Sequence, residues 1–195
     1  MDNQKDERGR RMEIFTIGHY NHTEAEFIRL LEEAEIEQLV DVRSFPGSRK
    51  FPWFTKDRMA DWLPQAGIGY VHMEELGGRR PTSQLISPAL NAGWHNESFH
   101  NYADYTLSHC FAEGIDRLEH TAARKRTAYC CSERHPARCH RLLISNWLAV
   151  RDWSVTHIVP DRDGTGELVP HELGKWGAMP IIEEDETVVY PPLEP

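Results

Sequence analysis

The sequence has few cysteines, no long apolar run and none of the usual nucleotide-binding motifs. Its four cysteines among 195 residues are too few and too clustered for a disulfide framework, so we expect reduced thiols in a cytoplasmic protein. No stretch approaches the roughly 18 apolar residues of a membrane span, and the charged N-terminal residues predict no signal peptide. Neither a G-x-G-x-x-G nor a Walker sequence occurs. Disulfide-stabilised secreted domains, membrane proteins and standard nucleotide-binding folds are therefore not expected.

Basic residues are scarce overall but concentrated in one segment. The chain has 22 Lys and Arg against 31 Asp and Glu, a formal net charge of -9, which disfavours a broad nucleic-acid surface. Residues 43–58 nevertheless carry five basic side chains against one acidic side chain. Arginine is favoured wherever phosphate or carboxylate is recognised, so this local excess predicts an anion as the ligand.

Short apolar strands alternate with amphipathic helices along most of the chain. We predict strands at 13–18, 37–42, 69–73, 126–131 and 154–159, and helices at 22–34, 58–67, 137–151 and over 96–125, the last as one helix or as two broken near Gly114. Thr23 followed by Glu26 fits a capping box at the start of the first helix. This order predicts a single three-layer α/β/α domain with a mainly parallel central sheet of about five strands.

Two flanking segments differ in composition from this domain. We expect residues 1–12 to form a disordered lead, residues 13–160 to form the α/β domain, and residues 161–195 to form a C-terminal extension. The last thirteen residues contain five carboxylates and three prolines. They suit either a poorly ordered acidic end or an arm that wraps the surface.

Polar side chains follow four of the predicted strands, where each strand ends. In open α/β sheets ligands bind at the carboxyl ends of the strands. The residues that this rule selects are His19, Asp41, Arg43, Arg79, Cys131, Glu133, Arg138, His140 and Arg141. For His19 the alternative is a turn residue satisfied by the backbone, and for Asp41 it is an ion pair with Arg43.

Several segments occur in an order that resembles a known family: "TIGHYN", "DVRSFPGSRKFPWF", "GIGYVHMEELGGRR", "FHNYADY" and "CSERHPARCHR". Together they resemble the Domain of Unknown Function 488 family over about residues 14–159, and the motif C-x-E followed by C-H-R is quite specific. Tyr20 stands where the family usually has a small polar residue, and Ser132 stands where it usually has alanine. The resemblance implies an α/β fold from the bacterial or archaeal cytosol. It implies no reaction, because the family is named for lacking one.

Residues 128–148, "AYCCSERHPARCHRLLISNWL", admit three kinds of chemistry. For a metal site the candidate ligands are Cys131, Cys139 and His140. We expect the side chains of Cys139 and His140 to point to different sides of a helix start, which disfavours one chelating loop. As a second alternative, Cys131 at a strand end and Cys139 in the first helical turn suit reactive thiols, since the helix dipole favours a thiolate.

The third alternative does not use the thiols. Here Glu133, His19 and Asp41 would act as general acid and base, while Arg43 and Arg141 hold an anionic substrate. The cysteines would then be packing residues. That is also our prediction for Cys130 and Cys110.

These patterns together predict an enzyme that acts on a phosphorylated or otherwise anionic substrate, including a nucleotide or a nucleic-acid end. The predicted catalytic residues are His19, Asp41, Cys131 and Glu133, and the predicted anion-binding residues are Arg43, Arg79, Arg138, His140 and Arg141. The sequence requires no cofactor, although it offers the metal ligands given above.

A rival prediction is a nucleic-acid binding module. In residues 44–58, aromatic side chains alternate with cations, as in many single-strand binding surfaces. The rings in question are Phe45, Phe51, Trp53 and Phe54. The alternative is that they pack a proline-rich loop onto the domain.

Overall fold

The computed structural model describes residues 12–161 and 164–192. Its strands and helices are β1 Glu13–Gly18, α1 Glu24–Glu33, β2 Gln38–Asp41, α2 Lys56–Gln65, β3 Gly69–His72, α3 Glu97–Tyr105, α4 His109–Ala122, β4 Thr127–Cys131, α5 Arg141–Val150, β5 Ser154–Pro160, β6 Gly166–Pro170, β7 Ile181–Ile182 and β8 Val188–Val189. The predicted disordered lead lies, apart from Met12, outside the described residues. Met12 packs against the hydrophobic core.

The central sheet has six strands in the order β3-β2-β4-β1-β5-β6. Strands β1 to β5 are parallel, and β6 is antiparallel to β5. The predicted α/β class with a mainly parallel sheet is confirmed. The sixth strand was not predicted, because β6 is an edge strand with mostly exposed residues and lacks the apolar pattern of a buried strand.

Helices cover both faces of the sheet. Apolar residues of α1 and α2, such as Phe27 and Leu63, pack on one face around Phe15 of β1. The residues of α3, α4 and α5 pack on the other face around Tyr129 of β4 and Ile14 of β1. Side chains alternate between the two faces along each strand, and because helices cover both faces, the residues on both faces are apolar.

Side-chain caps mark the start of the described helices α1, α3 and α4. The capping box predicted at α1 is present, since Thr23 Oγ1 accepts from the Glu26 backbone N–H at 3.2 Å and Glu26 Oε2 accepts from the Thr23 N–H at 2.7 Å.

The predicted break near Gly114 is wrong. The chain turns between α3 and α4, where Ser108 caps the second helix. Gly114 instead lies inside α4, and a Cβ there would come within 2.8 Å of the Leu76 side chain.

The last described residues return to the core. Val188, Val189 and Tyr190 are buried. The Tyr190 backbone N–H donates to Asn91 Oδ1 at 3.0 Å, and its hydroxyl accepts from Asn146 Nδ2 at 2.7 Å. These bonds attach the C-terminal segment to helix α5 and to the loop before α3.

Connections that leave neighbouring strands in opposite directions open a crevice at the carboxyl edge of the sheet. Strand β4 leads to α5 on one face, whereas its neighbours β1 and β2 lead to α1 and α2 on the other face. Ligands of open α/β proteins bind at such a switch point. Among the described helices, none combines the length and the apolar character needed to cross a membrane.

Candidate active site

A cleft of about 650 Å³ lies at this switch point. Its walls include the ends of β1 and β4, the loop that follows β2, and parts of α3 and of the loop that follows β3. This volume lies within the range of sites that hold small molecules of nucleotide size.

Two sulfurs and one imidazole nitrogen meet at the cleft, and we call them the Cys131–Cys139–His140 cluster. Their three donor atoms lie within 4.8 Å of one another. His140 Nδ1 is 3.5 Å from Cys139 Sγ and 3.9 Å from Cys131 Sγ. His140 Nε2 lies 2.8 Å from the Val42 carbonyl oxygen, which can only accept, so Nε2 carries a proton. In neutral His140 the Nδ1 lone pair therefore faces both sulfurs.

This convergence corrects two expectations from the sequence. Cys139 lies before α5 rather than in its first turn, and it has an extended backbone with φ -142° and ψ 145°. His140 is the N-cap of α5 and already has helical dihedrals. The backbone changes direction between these two residues. Their adjacent side chains consequently turn toward the same point instead of diverging.

A fully buried guanidinium stands behind the cluster. Arg141 Nε donates to Cys139 Sγ at 3.4 Å, Nη1 donates to Thr16 Oγ1 at 2.8 Å, and Nη2 donates to the Glu133 carbonyl oxygen at 2.6 Å. Within the described part of the chain no carboxylate forms an ion pair with Arg141. A buried cation needs a nearby negative charge. Cys139 Sγ, which contacts Arg141, and Cys131 Sγ, which lies within 4.8 Å of Cys139 Sγ, are thiols that can supply this charge.

The thiol pKa values agree with this charge balance. A hydrogen bond from the Cys139 thiol places the pKa of Cys131 well below its ordinary value, and the charges of His140 and Arg141 act in the same direction. Burial raises the pKa of Cys139 well above its ordinary value. The directions of these two shifts favour negative charge on Cys131 rather than on Cys139.

His19, Asp41 and Arg43 form one hydrogen-bonded chain, in which His19 and Arg43 line the cleft and Asp41 lies behind them. Asp41 is fully buried and accepts from Arg43 Nε at 2.8 Å and Nη2 at 2.6 Å, and from the Tyr70 hydroxyl at 2.8 Å. Arg43 Nη1 donates to His19 Nε2 at 3.1 Å. Both oxygens of Asp41 are thus occupied, and Asp41 holds Arg43 in place as the sequence alternative described.

His19 is buried and neutral. Its ring stacks on Phe54 with centroids 4.3 Å apart, and its Nδ1 donates to the Tyr20 carbonyl oxygen at 3.1 Å. Burial, followed by the charge of Arg43, lowers the pKa of His19 to about 4. In this arrangement the Nε2 lone pair is already engaged by Arg43.

The predicted site residues fall into three groups around the cleft. His19, Arg43, Cys131 and His140 line its inner part together with Cys139. Arg79, Arg138 and Glu133 are exposed residues that also line the cleft. Asp41 and Arg141 do not line it and lie behind the first group.

The aromatic residues of the basic segment 44–58 also differ in position, since some pack into the domain and others line the cleft. Phe54 is fully buried in the core, and Trp53 Nε1 donates to the His22 carbonyl oxygen at 2.9 Å. Phe45, which is 70% exposed, and Phe51 line the cleft.

The remaining two cysteines differ from each other. Cys130 points to the opposite face of the sheet and is buried, as predicted. Cys110 is exposed, so the prediction that it is a packing residue is wrong.

A second polar network was not predicted. His157 Nδ1 lies 3.3 Å from Thr16 Oγ1, His157 Nε2 lies 3.0 Å from His171 Nδ1, and His171 Nε2 lies 2.9 Å from Asn146 Oδ1. The only sequence signal was a histidine in the middle of the apolar segment "SVTHIV". Through Thr16 this network reaches Arg141.

Comparison with known proteins gives one family match. The model of the family described as "Domain of unknown function DUF488" matches residues 23–148, more than half of the 195-residue chain. No curated protein and no solved structure matches this chain.

Proposed function

The chain belongs to the Domain of unknown function DUF488 family, and we propose that it is an enzyme whose cleft binds an anionic substrate beside the Cys131–Cys139–His140 cluster. The substrate class is a small molecule or chain end that carries a phosphate or a carboxylate. The family description names no reaction, and the chemistry of the cleft supports this proposal.

The charge imbalance of the cleft carries the proposal. Four cationic side chains line it, namely Arg43, Lys50, Arg79 and Arg138. The buried carboxylate of Asp41 balances Arg43, which leaves three cations against the single lining carboxylate of Glu133. The chain as a whole has a net charge of -9. Cations concentrated in a concave site of an acidic protein attract an anion and raise its local concentration.

In this proposal the cationic side chains bind the anion, and the cluster contacts the substrate atoms next to it. Arg79 and Arg138 are exposed and free to adjust to an entering anion, whereas Arg43 is fixed by Asp41 and held ready without further loss of side-chain entropy. An anion held by these groups would place its neighbouring atoms over Cys131 and His140. The exposed ring of Phe45 offers a flat apolar surface for an uncharged part of the substrate.

Anion binding can be measured directly by calorimetry. The ligands are inorganic phosphate, nucleoside monophosphates, sugar phosphates, and short oligonucleotides with and without a terminal phosphate. We expect Arg79→Ala and Arg138→Ala each to weaken the binding by about tenfold or more, because each removes a charge-assisted hydrogen bond. Arg124→Ala is the matched control, since Arg124 is exposed and lies outside the cleft.

Three outcomes separate the alternatives. Equal binding by the wild type, both cleft variants and the control would show that the cleft is not an anion site. Binding of oligonucleotides that depends on salt but not on the terminal phosphate would favour the nucleic-acid module instead. Binding that requires the phosphate and is lost in the two cleft variants would support the proposal.

A further inference from the structure

We infer that the Cys131–Cys139–His140 cluster is a site for one soft divalent cation of the zinc type, with its fourth coordination position open to the cleft. This inference deepens the proposed function, since the cation would face the bound anion. Cation binding itself can be tested without any substrate.

The three donor atoms have the spacing of a tetrahedral zinc site. Zinc bonds to sulfur at about 2.3 Å and to imidazole nitrogen at about 2.0 Å, so a tetrahedral site separates nitrogen from sulfur by about 3.5 Å and two sulfurs by about 3.8 Å. His140 Nδ1 lies 3.5 Å and 3.9 Å from the two sulfurs, and all three donors lie within 4.8 Å of one another. The donors are therefore close to one face of such a tetrahedron.

Neighbouring groups orient two of these donors. A metal-binding histidine almost always donates its other ring N–H to a carbonyl or a carboxylate, which fixes the tautomer. His140 has this partner in the Val42 carbonyl oxygen at 2.8 Å. Arg141 Nε donates to Cys139 Sγ at 3.4 Å, which holds that sulfur and disperses its negative charge.

The cleft leaves space for a fourth ligand beside the three donors. All three ligands line the cleft, so one coordination position faces the region where the substrate would lie. A Cβ on Gly78 would come within 2.4 Å of His140 Nδ1, so this glycine keeps the approach to the donor atom free. Three protein ligands with an open fourth position are typical of catalytic rather than structural zinc sites.

The charges around the cluster favour an anion as the fourth ligand. A divalent cation with two thiolates and one neutral imidazole is neutral as a unit. The buried charge of Arg141 then has no counter-charge within the unit. An anionic fourth ligand would restore the balance, in agreement with the cations around the cleft. A cation there acts as a Lewis acid that polarises an oxygen of the bound anion.

Titration with Co²⁺ and Zn²⁺ tests the site. The full-length protein is treated with chelator under reducing conditions, freed of chelator and titrated with Co²⁺, whose thiolate bands report sulfur ligands in a tetrahedral site. We expect one Co²⁺ per chain, displaced by Zn²⁺. Cys131→Ser, Cys139→Ser and His140→Gln should each weaken binding by 100-fold or more, whereas Cys110→Ser and Cys130→Ala should bind as the wild type does.

Alkylation of the wild-type protein provides a readout that no folding defect of a variant can disturb. Zinc should protect Cys131 and Cys139 from alkylation, as measured by peptide mass spectrometry, while Cys110 serves as the exposed internal standard. If Co²⁺ gives no thiolate band and zinc leaves both cysteines as reactive as before, the inference is wrong and the pair acts as free thiols. A disulfide between them in the reduced preparation would also overturn it.

The two proposals can fail separately. Cation binding is measured without anions, and anion binding is measured on metal-free protein with the Arg79 and Arg138 variants. Bound zinc with no effect of these arginines on phosphate would leave the metal site standing and remove the anion cleft. The reverse result would leave an anion cleft with a thiol at its floor.

Discussion

Acid should destabilise this protein through the buried pair His157 and His171, and the size of the effect follows from their surroundings. Burial, together with the charges of His171, Arg141, His135 and Lys175, lowers the pKa of His157 from 6.5 to about 2. Burial lowers the pKa of His171 from 6.5 to about 4, against a smaller opposite effect of Glu172. Both rings are therefore neutral in the folded protein across the physiological range.

The hydrogen bonds explain why neutral rings are required. Asn146 Oδ1 accepts from His171 Nε2, so His171 Nδ1 has a free lone pair that accepts from His157 Nε2. His157 Nδ1 then accepts from the Thr16 hydroxyl, which itself accepts from Arg141 Nη1. In this series each group donates to the next one, from Arg141 toward Asn146. An extra proton on a ring nitrogen that now accepts would make that nitrogen a second donor facing its neighbour's donor.

The direction of the pH effect follows from proton counting. As the pH falls below 6.5, the unfolded chain protonates both histidines while the folded chain does not, so the free energy of unfolding decreases. A histidine with a pKa of 6.5 in the unfolded chain and about 4 in the folded chain lowers the free energy of unfolding at pH 5 by about 2 kcal/mol. The two rings together should lower the free energy of unfolding by about 4 kcal/mol between pH 7.5 and pH 5. The total for a typical domain is about 5–15 kcal/mol.

Urea denaturation followed by tryptophan fluorescence at pH 7.5, 6 and 5 would measure this loss. His171→Asn should lower stability at pH 7.5, because it breaks the row of hydrogen bonds, but it should also remove about 2 kcal/mol of the pH-dependent loss. His109→Asn, at a side chain that is 88% exposed, is the control and should keep the wild-type pH dependence. Equal losses between pH 7.5 and pH 5 in the wild type and His171→Asn would refute the reasoning.

Three further changes test other parts of the site by the same unfolding assay. Asp41→Asn should destabilise the protein by about 3–5 kcal/mol, because it leaves the buried charge of Arg43 without its partner. Phe54→Ala should cost about 3–5 kcal/mol by opening a cavity in the core beneath the cleft. Gly18→Ala should cost about 1–3 kcal/mol or more, since its Cβ would come within 1.8 Å of the Glu133 carbonyl oxygen and force two backbone segments apart.

Substitutions at exposed positions of the same loop serve as controls that should leave the stability unchanged. Phe45→Ala removes a ring that is 70% exposed, and a Cβ on Gly47 would meet nothing within 4 Å. Phe45→Ala and Gly47→Ala should each change the free energy of unfolding by less than about 0.5 kcal/mol. If Phe45→Ala and Phe54→Ala proved equally costly, or if Asp41→Asn proved neutral, the assignment of buried and exposed positions around the cleft would be wrong.

The sequence predicted the fold well because the signals were local. The first strand was predicted with its observed bounds, 13–18, and the first helix with its capping box, since both depend on neighbouring residues. The break near Gly114 was wrong for the opposite reason. That glycine serves a contact with Leu76 on a distant segment, which a local pattern cannot reveal.

The sequence selected nine candidate site residues, of which all but Asp41 and Arg141 line the cleft, but it did not predict their arrangement. Nine polar residues were selected because parallel strands deliver their ends to one edge, and the cleft lies at that edge. Whether Cys139 and His140 would converge depended on a change of backbone direction at the start of α5. The helical pattern extended through that point, so the sequence indicated divergence.

The sequence by itself determined the strand and helix order, the edge of the sheet that carries the polar residues, and the burial of Cys130. These features follow from the period of apolar residues and from the direction of parallel strands. Only the tertiary structure decided that Asp41 is occupied by Arg43, that Arg141 is buried against sulfur rather than a carboxylate, and that Tyr190 returns to the core. Each of these depends on contacts between segments far apart in the chain, whose geometry no single segment encodes.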